Sequence, residues 1–207
     1  ITCGVSDGVS SWIAVGYNNT DGGVILNSLD GTCWVNANTG NNLEYVNAVA
    51  YGLSSDGTSL WVAGGLDNSG TSVLIYSSSG TNWQTAEGAC LGSGSIYSIA
   101  YGLSSNDESI WVAGGNEKLL YSDDGVSWEN IIDPPGFTSN TVINSLAFGL
   151  SDNGTSTLFV AGTQGSAGTS MLYFSTNGTC WENCSGSDFG TYGYVFGIAY
   201  GKDSNND

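Results

Sequence analysis

Apolar residues run through this chain in short stretches, parted by clusters of Gly, Ser, Asn and Asp. Val46–Tyr51 alternates apolar with polar or small residues. Residues 52–59 (GLSSDGTS) are turn-rich, and Leu60–Ala63 is an apolar run. A Gly/Asn/Ser loop, a third apolar run (Val73–Tyr76), a tight turn and a fourth segment opening at Trp83 complete the unit. Stretches this short, with Gly near their ends, predict strands and no helix. The same order recurs as VNAVAYGLSSDGTSLWVAGG from Val46, IYSIAYGLSSNDESIWVAGG from Ile96 and INSLAFGLSDNGTSTLFVAG from Ile143. The aromatic opening the second segment falls at Trp12, Trp61, Trp111 and Phe159, at spacings of 49, 50 and 48 residues.

A seven-residue pattern follows in each unit: SLDGTCW from Ser28, SSSGTNW from Ser77, SDDGVSW from Ser122 and STNGTCW from Ser175. All seven tryptophans belong to one of these two positions. Asp-Gly (Asp30, Asp124) and Asn-Gly (Asn177) at the turn predict a type I′ hairpin with two left-handed residues. Four antiparallel strands in a repeat of about 50 residues predict a β-propeller blade. The expected fold is all-β, a propeller of four four-stranded blades. The expected blades are 194–207 plus 1–38, then 45–87, 95–131 and 142–184, in one domain. Tyr194–Gly201 (YVFGIAYG) reads as a first strand, and Trp12 opens a second strand with a poor first strand before it. The C-terminal strand is therefore expected to complete the N-terminal blade and close the ring; the alternatives are a chain cut from a longer propeller and a last strand that completes the blade of the next chain. The repeated aromatics are expected to fill the core between blades.

The S-x-D-G-x-x-W pattern resembles the Asp-box, the bacterial neuraminidase repeat, over seven residues in each of four units. It is one residue shorter between Asp and Gly than the usual box, and Ser79 and Asn177 replace the Asp in two copies. The resemblance implies an outer structural hairpin remote from any catalytic centre. A sialidase would need three arginines and this chain has none, so that activity is excluded.

Charge narrows the reading. Nineteen carboxylates face two cations (Lys118 and Lys202), with no Arg or His, for a net charge of −17. Nucleic acid, anionic membrane surfaces and nucleotide phosphates would be repelled. Serine-type triads and His metal sites lack an essential residue. No apolar run approaches the ~18 residues of a membrane helix, so no membrane insertion is expected. The chain opens at Ile1 and reads as a processed product or a fragment. Five cysteines (Cys3, Cys33, Cys90, Cys180, Cys184) without a C-x-x-C are expected to form disulfides, one left over. Sequons at Asn18, Asn153, Asn177 and Asn183 are glycosylation candidates on a secretory route.

The expected location is secreted, extracellular or on a cell or virion surface. Long loops supply the candidate ligand residues Asp133, Phe137, Asp188, Phe189 and Tyr192, aromatic faces with carboxylates nearby, as sugar rings require. Asp203, Asn205 and Asp207 have D-x-N-x-D spacing for calcium, and the residues around Asp107 resemble it, but both lie in repeated hairpin turns. No cofactor is expected beyond a possible calcium. No Glu sits in an apolar run that would raise its pKa, so the chain is read as no enzyme. The expected function is a structural or interaction subunit of an extracellular assembly, such as a surface layer or fibre, with itself, other extracellular proteins or glycans as partners. A lectin-like glycan binder is the alternative, and a carboxylate-dependent glycoside hydrolase the third.

Overall fold

The computed structural model describes residues 1–40, 42–88, 92–104, 106–131, 137, 141–151, 156–164, 172–186, 189 and 193–201. They form four antiparallel four-stranded sheets with no helix among the described residues. The first sheet holds β1 (Thr2–Ser6), β2 (Val9–Asn18), β3 (Gly22–Ser28) and β4 (Val35–Asn36), in that order. The second holds β5 (Leu43–Leu53), β6 (Ser59–Asp67), β7 (Ser72–Ser77) and β8 (Gln84–Thr85). The third holds β9 (Ile96–Leu103), β10 (Ser109–Gly115), β11 (Lys118–Ser122) and β12 (Glu129–Asn130). The fourth holds β13 (Val142–Leu150), β14 (Thr157–Gln164), β15 (Leu172–Ser175) and β16 (Glu182–Asn183). This is the β-propeller architecture, each sheet one blade of consecutive hairpins.

The blades stack through the residues that repeat. Trp61, Trp111 and Phe159 are fully buried, and Trp83, Trp128 and Trp181 nearly so. Trp61 shares a core with Ile13 and Ile25 of the preceding blade, and Trp111 with Val62 and Leu74. Inner strands crowd in the same periodic way. Gly4 lies under the ring of Tyr51, Gly52 under Tyr101, Gly102 under Phe148 and Gly149 under Tyr200, each too close for a Cβ. Backbone bonds also cross between blades: Asn38 N–H to Thr81 O (2.8 Å), Trp83 N–H to Asn38 O (3.0 Å), and the matching pair from Glu87 to Val126 (2.8 Å) and Trp128 to Glu87 (2.9 Å).

The Ser-to-Trp turns are built alike. In the first, Gly31 N–H donates to Ser28 Oγ (2.9 Å), Asp30 Oδ1 accepts from the N–H of Thr32 and Cys33 (both 2.8 Å), and Trp34 Nε1 donates to Gly31 O (3.2 Å). Asp124 and Asn177 repeat this, and Ser79 Oγ takes the place with longer bonds of 3.3 and 3.4 Å. The type I′ expectation is corrected. Only the glycine is left-handed in each turn (φ 71 to 76°), because the Asp or Asn side chain supplies the acceptors that a second left-handed residue would otherwise organise.

The expected closure is corrected as well. The first sheet has its own first strand, β1, paired with β2 from Thr2↔Ile13 to Ser6↔Val9. Residues 194–201 lie instead against the fourth blade. Gly162 abuts Val195, Gly149 lies under Tyr200, and Ile198 N–H donates to Ser145 Oγ at 2.9 Å. They follow the inner-strand pattern without joining any of the four sheets. Trp12 is 41% exposed.

Candidate functional site

The inner strands β5, β9 and β13 share one irregularity. Pairing passes from Val46↔Gly65 to Ala48↔Gly64, from Ile96↔Gly115 to Ser98↔Gly114, and from Ile143↔Thr163 to Ser145↔Gly162. One residue is left over in each: Asn47, Tyr97 and Asn144. Such bulges re-aim a side chain out of the ladder. By the repeat, Phe196 holds the same place in 194–201. Polar bonds tie successive inner strands together here. Asn47 Nδ2 donates to Ser95 Oγ (2.7 Å) and Ile96 O (2.9 Å), and Leu146 N–H donates to Ser98 Oγ (2.8 Å).

The result is an arc of amides and rings along the inner wall. Tyr97 is 38% exposed and Phe196 81%. Asn144 Nδ2 is buried without a hydrogen-bond partner. Tyr194 stacks on Phe196, centroids 5.6 Å apart and planes within 11°, and both rings face solvent. Phe189 is exposed and packs close to Gly193 at the start of this segment. Open aromatic faces such as these suit the apolar faces of sugar rings. The sequence reading missed Asn47, Tyr97, Asn144 and Phe196. Their signal was the one repeat position where Asn, Tyr and Phe replace one another while its neighbours hold their type.

The loop candidates fare differently. Phe189 joins the exposed aromatic group. Phe137 does not: it lies 4.5 Å from Tyr173, centroid to centroid, in the core between the third and fourth blades. Asp133, Asp188 and Tyr192 lie outside the described residues, as do Asp203, Asn205 and Asp207, the Asn153 sequon and Cys90. Asp107 sits in a turn with φ 60°, beside Glu108 and Asp123 in a cleft of about 620 Å³. Among the described residues no three His, Cys, Asp or Glu side chains gather as a metal set. Asn18 Oδ1 accepts from Thr20 N–H (2.8 Å) and Asp21 N–H (2.6 Å), Asn177 serves its turn, and Asn183 is exposed on β16.

Cys3, Cys33 and Cys180 are exposed thiols in this structure. Cys33 and Cys180 hold the same place in the first and fourth Ser-to-Trp turns. Cys184 is half-buried, and burial raises its thiol pKa. No helix among the described residues is long and apolar enough to cross a membrane.

No family model matches the chain, and no curated protein matches it. Solved structures do resemble it in outline. A fucose lectin from Kordia zhangzhouensis, in complex with methyl-fucoside, is 14% identical with a TM-score of 0.45 over 67% of this chain and 99% of its own. An N-acetylgalactosamine deacetylase from F. plautii is 12% identical, with a TM-score of 0.46 over 88% of this chain and 66% of its own. An α-L-arabinanase from Penicillium chrysogenum, complexed with arabinobiose, is 15% identical, with a TM-score of 0.48 over 85% and 59%. This chain thus spans about three fifths of the arabinanase's length. The reading of the chain as no enzyme is corrected by the deacetylase and the arabinanase. The physical reason is that lack of Arg and His removes only the mechanisms that use them. Glycoside chemistry runs on two carboxylates, and this chain carries 19.

Proposed function

We propose that the chain is a carbohydrate-binding propeller of the extracellular space or a cell or virion surface, with its ligand site on the inner wall. The observation carrying this is the repeated bulge. It presents Tyr97 to solvent, and Phe196, at the matching repeat position, is 81% exposed. Sugars are held by stacking on aromatic rings, and the open faces of Tyr97, Tyr194 and Phe196 supply such rings. The chain's charge favours a neutral glycan, since an anionic one would meet net −17.

The test is a glycan array followed by titration of the best neutral oligosaccharide. Tyr97→Ala and Phe196→Ala are each expected to weaken binding about tenfold, equal to ~1.4 kcal/mol. Phe137→Ala is expected to lower stability and leave affinity unchanged. Binding that survives both Tyr97→Ala and Phe196→Ala would refute the site. A second reading, an interaction subunit of an extracellular assembly, is favoured by the exposed ring of Trp12 on the first blade.

A further inference from the structure

The four Ser-to-Trp turns share a backbone and differ in how the glycine N–H is used. In the first three that N–H is tied to the turn's serine: Gly31 to Ser28 Oγ (2.9 Å), Gly80 to Ser77 Oγ and Gly125 to Ser122 Oγ (both 2.8 Å). In the fourth, Ser175 Oγ accepts from the N–H of Asn177 (3.3 Å), and no bond among the described residues holds the N–H of Gly178. The fourth is also the one turn whose organising residue is an amide, against Asp30, Ser79 and Asp124 in the others.

That amide is gripped at its oxygen. Asn177 Oδ1 accepts from Thr179 N–H (3.0 Å), Cys180 N–H (2.8 Å) and the Ser175 hydroxyl (3.1 Å). Asn177 is exposed to water, and Gly178 carries no side chain to stand between its own nitrogen and the amide. An electrophilic carbonyl, a nitrogen in the next peptide unit and donors placed where negative charge develops are the parts of an internal acyl transfer. The other turns each lack a part. Asp30 and Asp124 are held below the usual carboxylate range, so at neutral pH they are ionised and poor electrophiles, and their glycine N–H groups are tied. Ser79 has no side-chain carbonyl.

We propose that Asn177 is a self-modification site, where the fourth turn converts its own asparagine to aspartate through a cyclic imide with water as co-reactant. The Gly178 nitrogen loses its proton to solvent base and attacks Asn177 Cγ, forming a new N–C bond. The charge that passes to Oδ1 is met by the three donors. As the carbonyl re-forms, the Cγ–Nδ2 bond breaks, and Nδ2 takes up a proton and leaves as ammonia. Water then adds to Cγ, the bond from Cγ to the Gly178 nitrogen breaks, and that nitrogen regains its proton. One water enters, one ammonia leaves, and nothing is oxidised or reduced. The product suits the fold, because Asp30 and Asp124 already make the same bonds to the N–H groups two and three residues on. Conversion adds a carboxylate to a chain of net −17 and erases the sequon at Asn177, closing that position to a glycan.

The test ages the full chain, made without glycans, in mildly alkaline buffer and follows each asparagine by peptide mass, where amide-to-acid conversion adds one mass unit. The folded chain is expected to convert Asn177 at least about tenfold faster than the same chain in urea, because unfolding removes all three donors. Asn153, in the chain's other Asn-Gly pair, supplies the reference rate. Ser175→Ala, which removes one donor, is expected to slow Asn177 severalfold and leave Asn153 at the parent's rate. The aged peptide is expected to co-elute with that of Asn177→Asp, which an isoaspartate peptide would not do. A folded rate equal to or below the rate in urea overturns the inference, whatever the variants do. So does a folded Ser175→Ala chain that converts as fast as the parent, or an aged peptide that elutes apart from Asn177→Asp.

Discussion

A single carboxylate oxygen organises each of two outer turns. Burial raises the Asp124 pKa, but the N–H groups of Ser127 and Val126 and the Ser122 hydroxyl outweigh it, and the net shift is downward. Asp30 is held low by the N–H groups of Cys33 and Thr32. A carboxyl whose folded pKa lies below its unfolded value of ~3.9 contributes stability that is complete above that value. That contribution is lost as pH falls through the folded pKa. Asn177 serves the fourth turn without a titrating proton. The Asp30→Asn/Asp124→Asn variant is therefore expected to fold and to lose less melting temperature between pH 7 and pH 2 than the parent. Thermal melts across that range check it, and an equal or larger loss would refute the account. Crowding under the rings gives a second residue-scale outcome. At Gly102 a Cβ would overlap the Phe148 ring, so Gly102→Ala is expected to cost about 1–3 kcal/mol in a urea melt. The same change at Gly57, with φ 83° and open surroundings, is expected to cost only backbone strain.

At the scale of the element, the sequence was legible where side chains repeat and silent where pairing depends on neighbours. The turn of the second unit, the apolar run at Leu60–Ala63 and the Ser-to-Trp hairpin all stand where alternation places them. The bulges left only the interchange of Asn, Tyr and Phe at one repeat position as a mark. Val46-Asn47-Ala48 alternates as well as any flat strand, and only the pairing partner reveals the extra residue. The first strand was misjudged for a related reason. Thr2–Ser6 lacks the apolar alternation of β5, yet β2 holds it by backbone bonds, which composition does not report. Phe137 was chosen for its place in a long loop, whereas contact with Tyr173 made it core. Deleting Asn47 would leave β5 flat, with Val46 still opposite Gly65 and Ala48 opposite Gly64, and would remove the Asn47 bonds to Ser95 and Ile96. Such a variant is expected to keep its core faces and to lose about 1–3 kcal/mol of stability with those bonds. A melting curve matching the parent's would count against the bulge's role.

Across the whole molecule, each blade shares cores with its immediate neighbours. Stability should then be close to a sum over blades and the interfaces between them, like a short one-dimensional lattice. The lattice has inner and outer sites. Trp111, closed on both sides, is expected to cost about 3–5 kcal/mol on change to Ala, whereas the half-open Trp12 is expected to cost less than ~1.5 kcal/mol. Urea unfolding of the two variants distinguishes them, and equal losses would refute the additive picture. The half-paired β2 edge places the weakest link at one end of that lattice. Opening would start there as fraying, with amide protons of Ala14–Tyr17 exchanging in advance of those in β6 and β10. Heat would then peel the molecule blade by blade from its first sheet inward, as a zipper opens from its loose end.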